Sequence, residues 1–200
     1  MHPYLSYRVI EQFQVNASIP LSERKKIVYL SRSQGGELRN GGREIINEDQ
    51  LLKSIRKLLQ KRKKGEELVL FDHTQFKSLK DTMNYLSRNA LAVIGPHGGA
   101  FNGIQWCSEQ TLIIEFMPSN RFGTAFWELG STVNHDYWVM VLNSLNDRHD
   151  MKVPISDVIE ILKERLGLGL SIDGDSLRPH LNWRGDDIME TVNVNQIASP

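Results

Sequence analysis

Five short apolar runs, separated by stretches whose apolar residues recur every three or four positions, constrain the fold of this chain most. The runs lie within residues 25–32 and at 68–71, 91–94, 111–116 and 137–142. Each is too short for a stable helix and is bounded by turn formers, which reads as a strand buried on both faces. Between them the period changes. After Asn47, Leu51, Leu52, Ile55, Leu58 and Leu59 fall on one helical face with Lys53, Arg56, Lys57 and Gln60 opposite. Asn47 suits the N-cap, Gln50 the capping-box position, and Glu48 and Asp49 the positive end; the basic run 61–64 followed by Gly65 marks the finish. Phe76, Leu79, Met83 and Leu86 repeat the pattern up to Asn89, residues 125–129 fit a helical turn or more, and 156–166 form a last helix. Strands alternating with helices predict an α/β fold: a Rossmann-like parallel sheet with helices on both faces.

At 200 residues the chain suits one substantial domain. We expect a domain at 25–166, preceded by an N-terminal extension or remnant of a preceding domain at 1–24. An irregular tail follows at 167–200, where turn formers replace the period and where Leu181 and Trp183 are the candidate docking residues. Lys plus Arg and Asp plus Glu number 24 each, so no global field recruits nucleic acid or an anionic membrane. Arg8 and Glu11 interrupt the first residues, which excludes a signal peptide or membrane anchor there. Cys107 is the single cysteine; Ile104 and Trp106 beside it favour a buried structural thiol over a nucleophile. Asn16-Ala17-Ser18 is the only sequon, relevant in a secretory context.

Chemistry concentrates where the third run ends. Gly95-Pro96-His97-Gly98-Gly99-Ala100 is a glycine-rich turn at the carboxyl end of a strand, and Phe101 and Asn102 look like the start of a helix. Ligands bind at such ends in open α/β sheets, and small residues leave backbone N–H groups free to surround a phosphate. The loop is thus a candidate site for a nucleoside diphosphate. Neither GxGxxG after the first strand nor GxxxxGK[ST] is present, which argues against a dinucleotide fold and a P-loop phosphotransferase. Arg32 leaves the first strand at the same edge and Arg43 returns from the loop that follows, both suited to fork-like pairing with phosphate. His97 is read as donating to a phosphate oxygen or shaping the turn, and less readily as a general base. For Asn47 and Glu48, helix capping suffices as an explanation. Asp173-Gly174-Asp175 and Asp186-Asp187 lack the spacing of a calcium loop.

The ordered set Ser31-Arg32, Arg43-Glu44-Ile45-Ile46-Asn47-Glu48, Gly95 to Ala100 and Glu115-Phe116-Met117-Pro118 resembles glycosyltransferase family 61. That family includes plant beta-1,2-xylosyltransferases and EGF-domain O-linked N-acetylglucosamine transferases. The likeness runs over about residues 25–165 and covers the C-terminal half of the family pattern. Where the family commonly reads HGAGLTN, this chain reads HGGAFNG, so backbone contacts carry over more directly than the asparagine side chain. The resemblance implies the Rossmann-like C-terminal domain of a B-type glycosyltransferase, moving a sugar from a nucleoside diphosphate, UDP by expectation, to a hydroxyl of a glycan or glycoprotein. It implies no cofactor and no metal. His97 is then the candidate catalytic residue. Arg32, Arg43, Gly98, Gly99, Ala100, Phe101 and Asn102 are the candidate donor-binding residues, with Glu115 holding the ribose hydroxyls. The expected partners are the nucleotide sugar and its acceptor, without nucleic acid and without direct membrane contact, and the family implies a Golgi or endoplasmic reticulum lumen. The alternative is a non-catalytic nucleotide-sugar- or protein-binding fragment of the same fold.

Overall fold

The computed structural model describes residues 3–33 and 42–168; the tail from 169 on, with Leu181, Trp183 and the paired aspartates, lies outside them. Helix α1 (Pro3–Gln12) precedes β1 (Lys26–Tyr29), α2 (Glu48–Arg62), β2 (Glu67–Leu70) and α3 (Leu79–Asn89). Then come β3 (Ala90–Pro96), a 3₁₀ helix (Gly99–Trp106), β4 (Leu112–Pro118), α4 (Ala125–Thr132), β5 (Asp136–Leu142) and α5 (Ile155–Arg165). The five strands form one parallel sheet in the order β2-β1-β3-β4-β5. This is the expected α/β architecture.

Alternation along each strand divides the core. Ile27, Tyr29, Ile94, Ile114, Phe116 and Trp138 face one side, under α2 and α5. Val28, Val93, Ile113, Tyr137 and Val139 face the other, with Leu86 of α3, Leu129 of α4 and Phe101 and Ile104 of the 3₁₀ helix. Because successive side chains point to opposite faces, Glu115, between Ile114 and Phe116, is directed to the second face and is wholly buried there. A carboxylate in that position needs partners.

Three expectations are corrected in detail. The run 68–71 is not a strand buried on both faces: β2 pairs only with β1, and Leu68, Val69 and Leu70 are half-buried at the sheet edge. Asn47 occupies the N-cap position but its side chain caps nothing. Instead its amide donates to Val153 O at 2.8 Å and its oxygen accepts from Val153 N at 3.0 Å, since a neighbouring strand-like segment offers two backbone groups at once. Helix α2 ends within the basic run as expected, with Lys63 (φ 53°) as its left-handed C-cap and Gly65 (φ 75°) also left-handed. The segment after His97 is a 3₁₀ rather than an α-helix; its three-residue period puts Phe101, Ile104 and Cys107 on one buried side.

Helix α1 belongs to the same packed body. Ile10 and Val15 are buried with Met83 of α3, and Trp106 packs against them. At the amino-terminal sheet edge Arg24, 1% exposed, donates from Nη1 to Ala90 O, Ser108 O and Thr111 Oγ1 and from Nη2 to Glu109 O.

Candidate functional site

In a 2-1-3-4-5 sheet the chain runs outward in opposite directions from β1 and β3, leaving a crevice beyond their carboxyl ends. Gly95 brings the two strand ends together: an added Cβ would sit 2.6 Å from Leu30 O. Residues from both strand exits therefore share one space.

On the β1 side, Ser31-Arg32-Ser33 forms a turn fastened by Glu48, whose carboxylate accepts from Ser31 Oγ at 2.9 Å and also from Ser33 Oγ. Glu48 is thus a structural anchor of the Arg32 turn, a role beyond simple capping. Arg32 Nε donates to Gly42 O at 2.8 Å. Its guanidinium reaches the β3 loop, where a Cβ on Gly98 would stand 2.5 Å from Arg32 Nη1. The missing side chain at Gly98 is what leaves room for the arginine.

Arg43 is held from the other end of the chain. Gly42 (φ 98°) and Arg43 (φ 61°) are both left-handed, and an added Cβ on Gly42 would collide with Arg148 O. Arg43 N donates to Arg148 O, Glu44 N to Asp150 Oδ1, and Met151 N to Glu44 O. The Arg43 side of the loop is thereby strapped to the segment after β5. Arg43 as a residue is 9% exposed, and among the described residues no carboxylate pairs with its side chain. Burial and the neighbouring Arg32 and Arg121 cations push its guanidinium down to about 10, still protonated near neutrality. Burial and Arg121 also lower Arg32, while Glu44 acts in the opposite sense. Three guanidiniums thus gather at one strand edge.

His97 follows β3. Its N–H donates to Phe116 O, and its ring packs 5.3 Å from Phe126 of α4. Nδ1 lies 2.7 Å from Glu115 Oε1, and Glu115 Oε2 accepts the Tyr137 hydroxyl at 2.8 Å. Burial and the Glu115 charge hold the Tyr137 phenol well above its ordinary value. Both Glu115 oxygens are therefore engaged, on the His97 side of a buried position.

Of the residues singled out in the sequence, Arg32, Arg43, His97 and Gly98 come together and Glu115 stands directly behind His97. Gly99, Ala100 and Asn102 are exposed beside them. Phe101 points away, fully buried and 5.8 Å from Phe126, which leaves only its backbone to a ligand. Arg121, Tyr137 and the anchoring role of Glu48 were not legible as site features. Among the described residues no three His, Cys, Asp or Glu side chains are placed to hold a metal ion, and no helix is long and apolar enough to cross a membrane.

Comparison with known proteins decides the class. Residues 1–114 match the model of the glycosyltransferase 61 family, which is more than half of the chain. The chain belongs to this family. No curated protein matches it. Membership of glycosyltransferase 61 implies sugar transfer, with a nucleotide sugar as donor and a glycan as acceptor. The match takes in α1, Arg32, Arg43 and the His97 loop, and stops one residue before Glu115.

Proposed function

We propose that this chain is the donor-binding part of a glycosyltransferase of the two-domain B type. It holds a nucleoside diphosphate sugar, with UDP as the carrier, for transfer to a hydroxyl of a glycan or glycoprotein. Residues 25–166 form the donor domain in this reading. One observation carries it: Arg32, Arg43 and Arg121 crowd together at the crevice, with Arg43 buried and lacking a carboxylate partner among the described residues. A buried guanidinium beside like charges costs free energy unless an anion offsets it, and a diphosphate supplies that charge.

The chemistry follows from where charge grows. As the bond from the sugar anomeric carbon to the diphosphate oxygen breaks, negative charge develops on the leaving diphosphate, while the acceptor oxygen bonds to the same carbon and gives up its proton. Arg32, its Nε held by Gly42 O, and the buried Arg43 stand at the crevice where that charge appears, with Arg121 beside them, and preorganised cations of this kind lower the barrier. The His97 loop adds Nε2 and the backbone of Gly98 to Asn102. The acceptor's proton passes to a general base, a role that the protonated guanidiniums of Arg32, Arg43 and Arg121 do not fill.

Calorimetric titration of the full chain with UDP tests the reading: we expect saturable binding that weakens markedly in Arg43→Ala. No heat from folded protein at millimolar UDP contradicts it. Binding without turnover of a UDP-sugar, with glycan acceptors supplied, would instead identify a non-catalytic binding module.

A further inference from the structure

His97 has two ring nitrogens, and the fold engages one of them. Nδ1 faces the Glu115 carboxylate, which has no exposure and whose second oxygen takes the Tyr137 hydroxyl. Tyr137 is fixed in turn, because its ring lies against Gly130, where an added Cβ would collide with it. A ring pinned through Nδ1 to a buried carboxylate turns Nε2 the other way, and the His97 side chain keeps 16% of its surface exposed. Among the described residues no group pairs with Nε2.

We propose that Glu115 and Tyr137 are positioning residues that set the protonation balance of His97, so that Nε2–H is presented to the diphosphate as a charged hydrogen-bond donor. The assignment rests on the diphosphate reading above. The charged and titratable groups around the ring are Glu115 from β4, Tyr137 from β5, and Arg32, whose Nη1 reaches the adjoining Gly98. Arg43 and Arg121 stand beside Arg32, and α4 contributes apolar Phe126. An ionised carboxylate at Nδ1 favours the imidazolium, whereas the guanidiniums oppose it. The Tyr137 hydroxyl draws off part of the carboxylate's charge and so moderates its pull. A diphosphate at Nε2 adds negative charge on the open flank and so favours the charged donor further. The sugar's phosphate group, not the ribose, is then what Glu115 serves, and it does so through His97.

The test is an NMR pH titration of the His97 ring in the ligand-free full chain, with its signal assigned by its loss in His97→Gln. Glu115→Gln should lower the midpoint, and Tyr137→Phe should raise it. The pH dependence of inorganic pyrophosphate affinity should move the same way in each variant. Midpoints that stay put, or that move in the same direction in both variants, overturn the assignment whatever the ligand does. Opposite movements without pyrophosphate binding by the wild-type chain would uphold the coupling to His97 and refute the donor-site reading. If thermal melts show that Glu115→Gln does not fold, the sign in Tyr137→Phe decides.

Discussion

Gly98→Ala separates the cost of folding from the cost of binding. Gly98 has φ 168°, extended backbone that alanine adopts freely, and the nearest backbone atom to the added Cβ is Pro96 O at 3.9 Å. The one close neighbour is Arg32 Nη1 at 2.5 Å, the far end of a flexible side chain. Ordinary van der Waals contact begins at 3.4 Å, so the guanidinium must retreat by roughly 0.9 Å, the difference between the two distances. That displacement exceeds the tolerance of a charge-assisted hydrogen bond, which contributes about 1.5–3 kcal/mol. Affinity for UDP should therefore fall about 10- to 150-fold, while stability changes by less than about 0.5 kcal/mol. Calorimetry with UDP and urea melts on the same samples read both. Gly95→Ala is the contrasting control: its Cβ meets the backbone oxygen of Leu30, which cannot step aside, and stability should drop by about 1–3 kcal/mol. Unchanged UDP affinity in a folded Gly98→Ala chain would refute the placement of Arg32 at the phosphate.

Arg43→Met should raise the stability of the ligand-free chain by about 1 kcal/mol, because a buried like-charged group is removed, and should abolish the melting-temperature gain on adding UDP; a fall in ligand-free stability counts against the charge-crowding argument. His135 donates from Nε2 to Ile104 O at 2.8 Å, has a buried Nδ1 without a partner among the described residues, and is pushed down to about 4 by burial. Its folded value lies below its unfolded one, so the folded state resists protonation. Stability is lost as pH falls from about 6.5 towards 4, by about 3 kcal/mol in all, and urea melts of His135→Gln across that range should show a flatter profile. Arg24→Met strips the donor from three carbonyls and Thr111 Oγ1 and should cost about 3 kcal/mol, measured by urea melts. UDP affinity should be unchanged, because Arg24 sits at the opposite sheet edge.

The sheet and its helices were legible because period alone separates them: residues 91–94 and 112–114 are short and continuously apolar, whereas Leu51, Leu52, Ile55, Leu58 and Leu59 trace a stripe. Strand position was not, since nothing in Leu68 to Leu70 tells an edge strand from an interior one. The Arg32 and His97 loops were visible from turn formers at strand ends. Arg121 was missed because an exposed arginine three residues after Pro118 has no local signature; only the packing of strand exits places it beside Arg32. Tyr137 read as one more apolar strand residue, and its hydroxyl gains meaning only from the register that sets β5 beside β4. Asn47 shows the converse, since a good local cap signal was overridden by a tertiary partner, Val153.

A crystal structure of the full chain with UDP tests the central claim most directly. The account predicts the diphosphate in the crevice between the ends of β1 and β3, within hydrogen-bond distance of Arg32, Arg43 and His97 Nε2. A diphosphate bound elsewhere, with those three side chains left empty-handed, would contradict it.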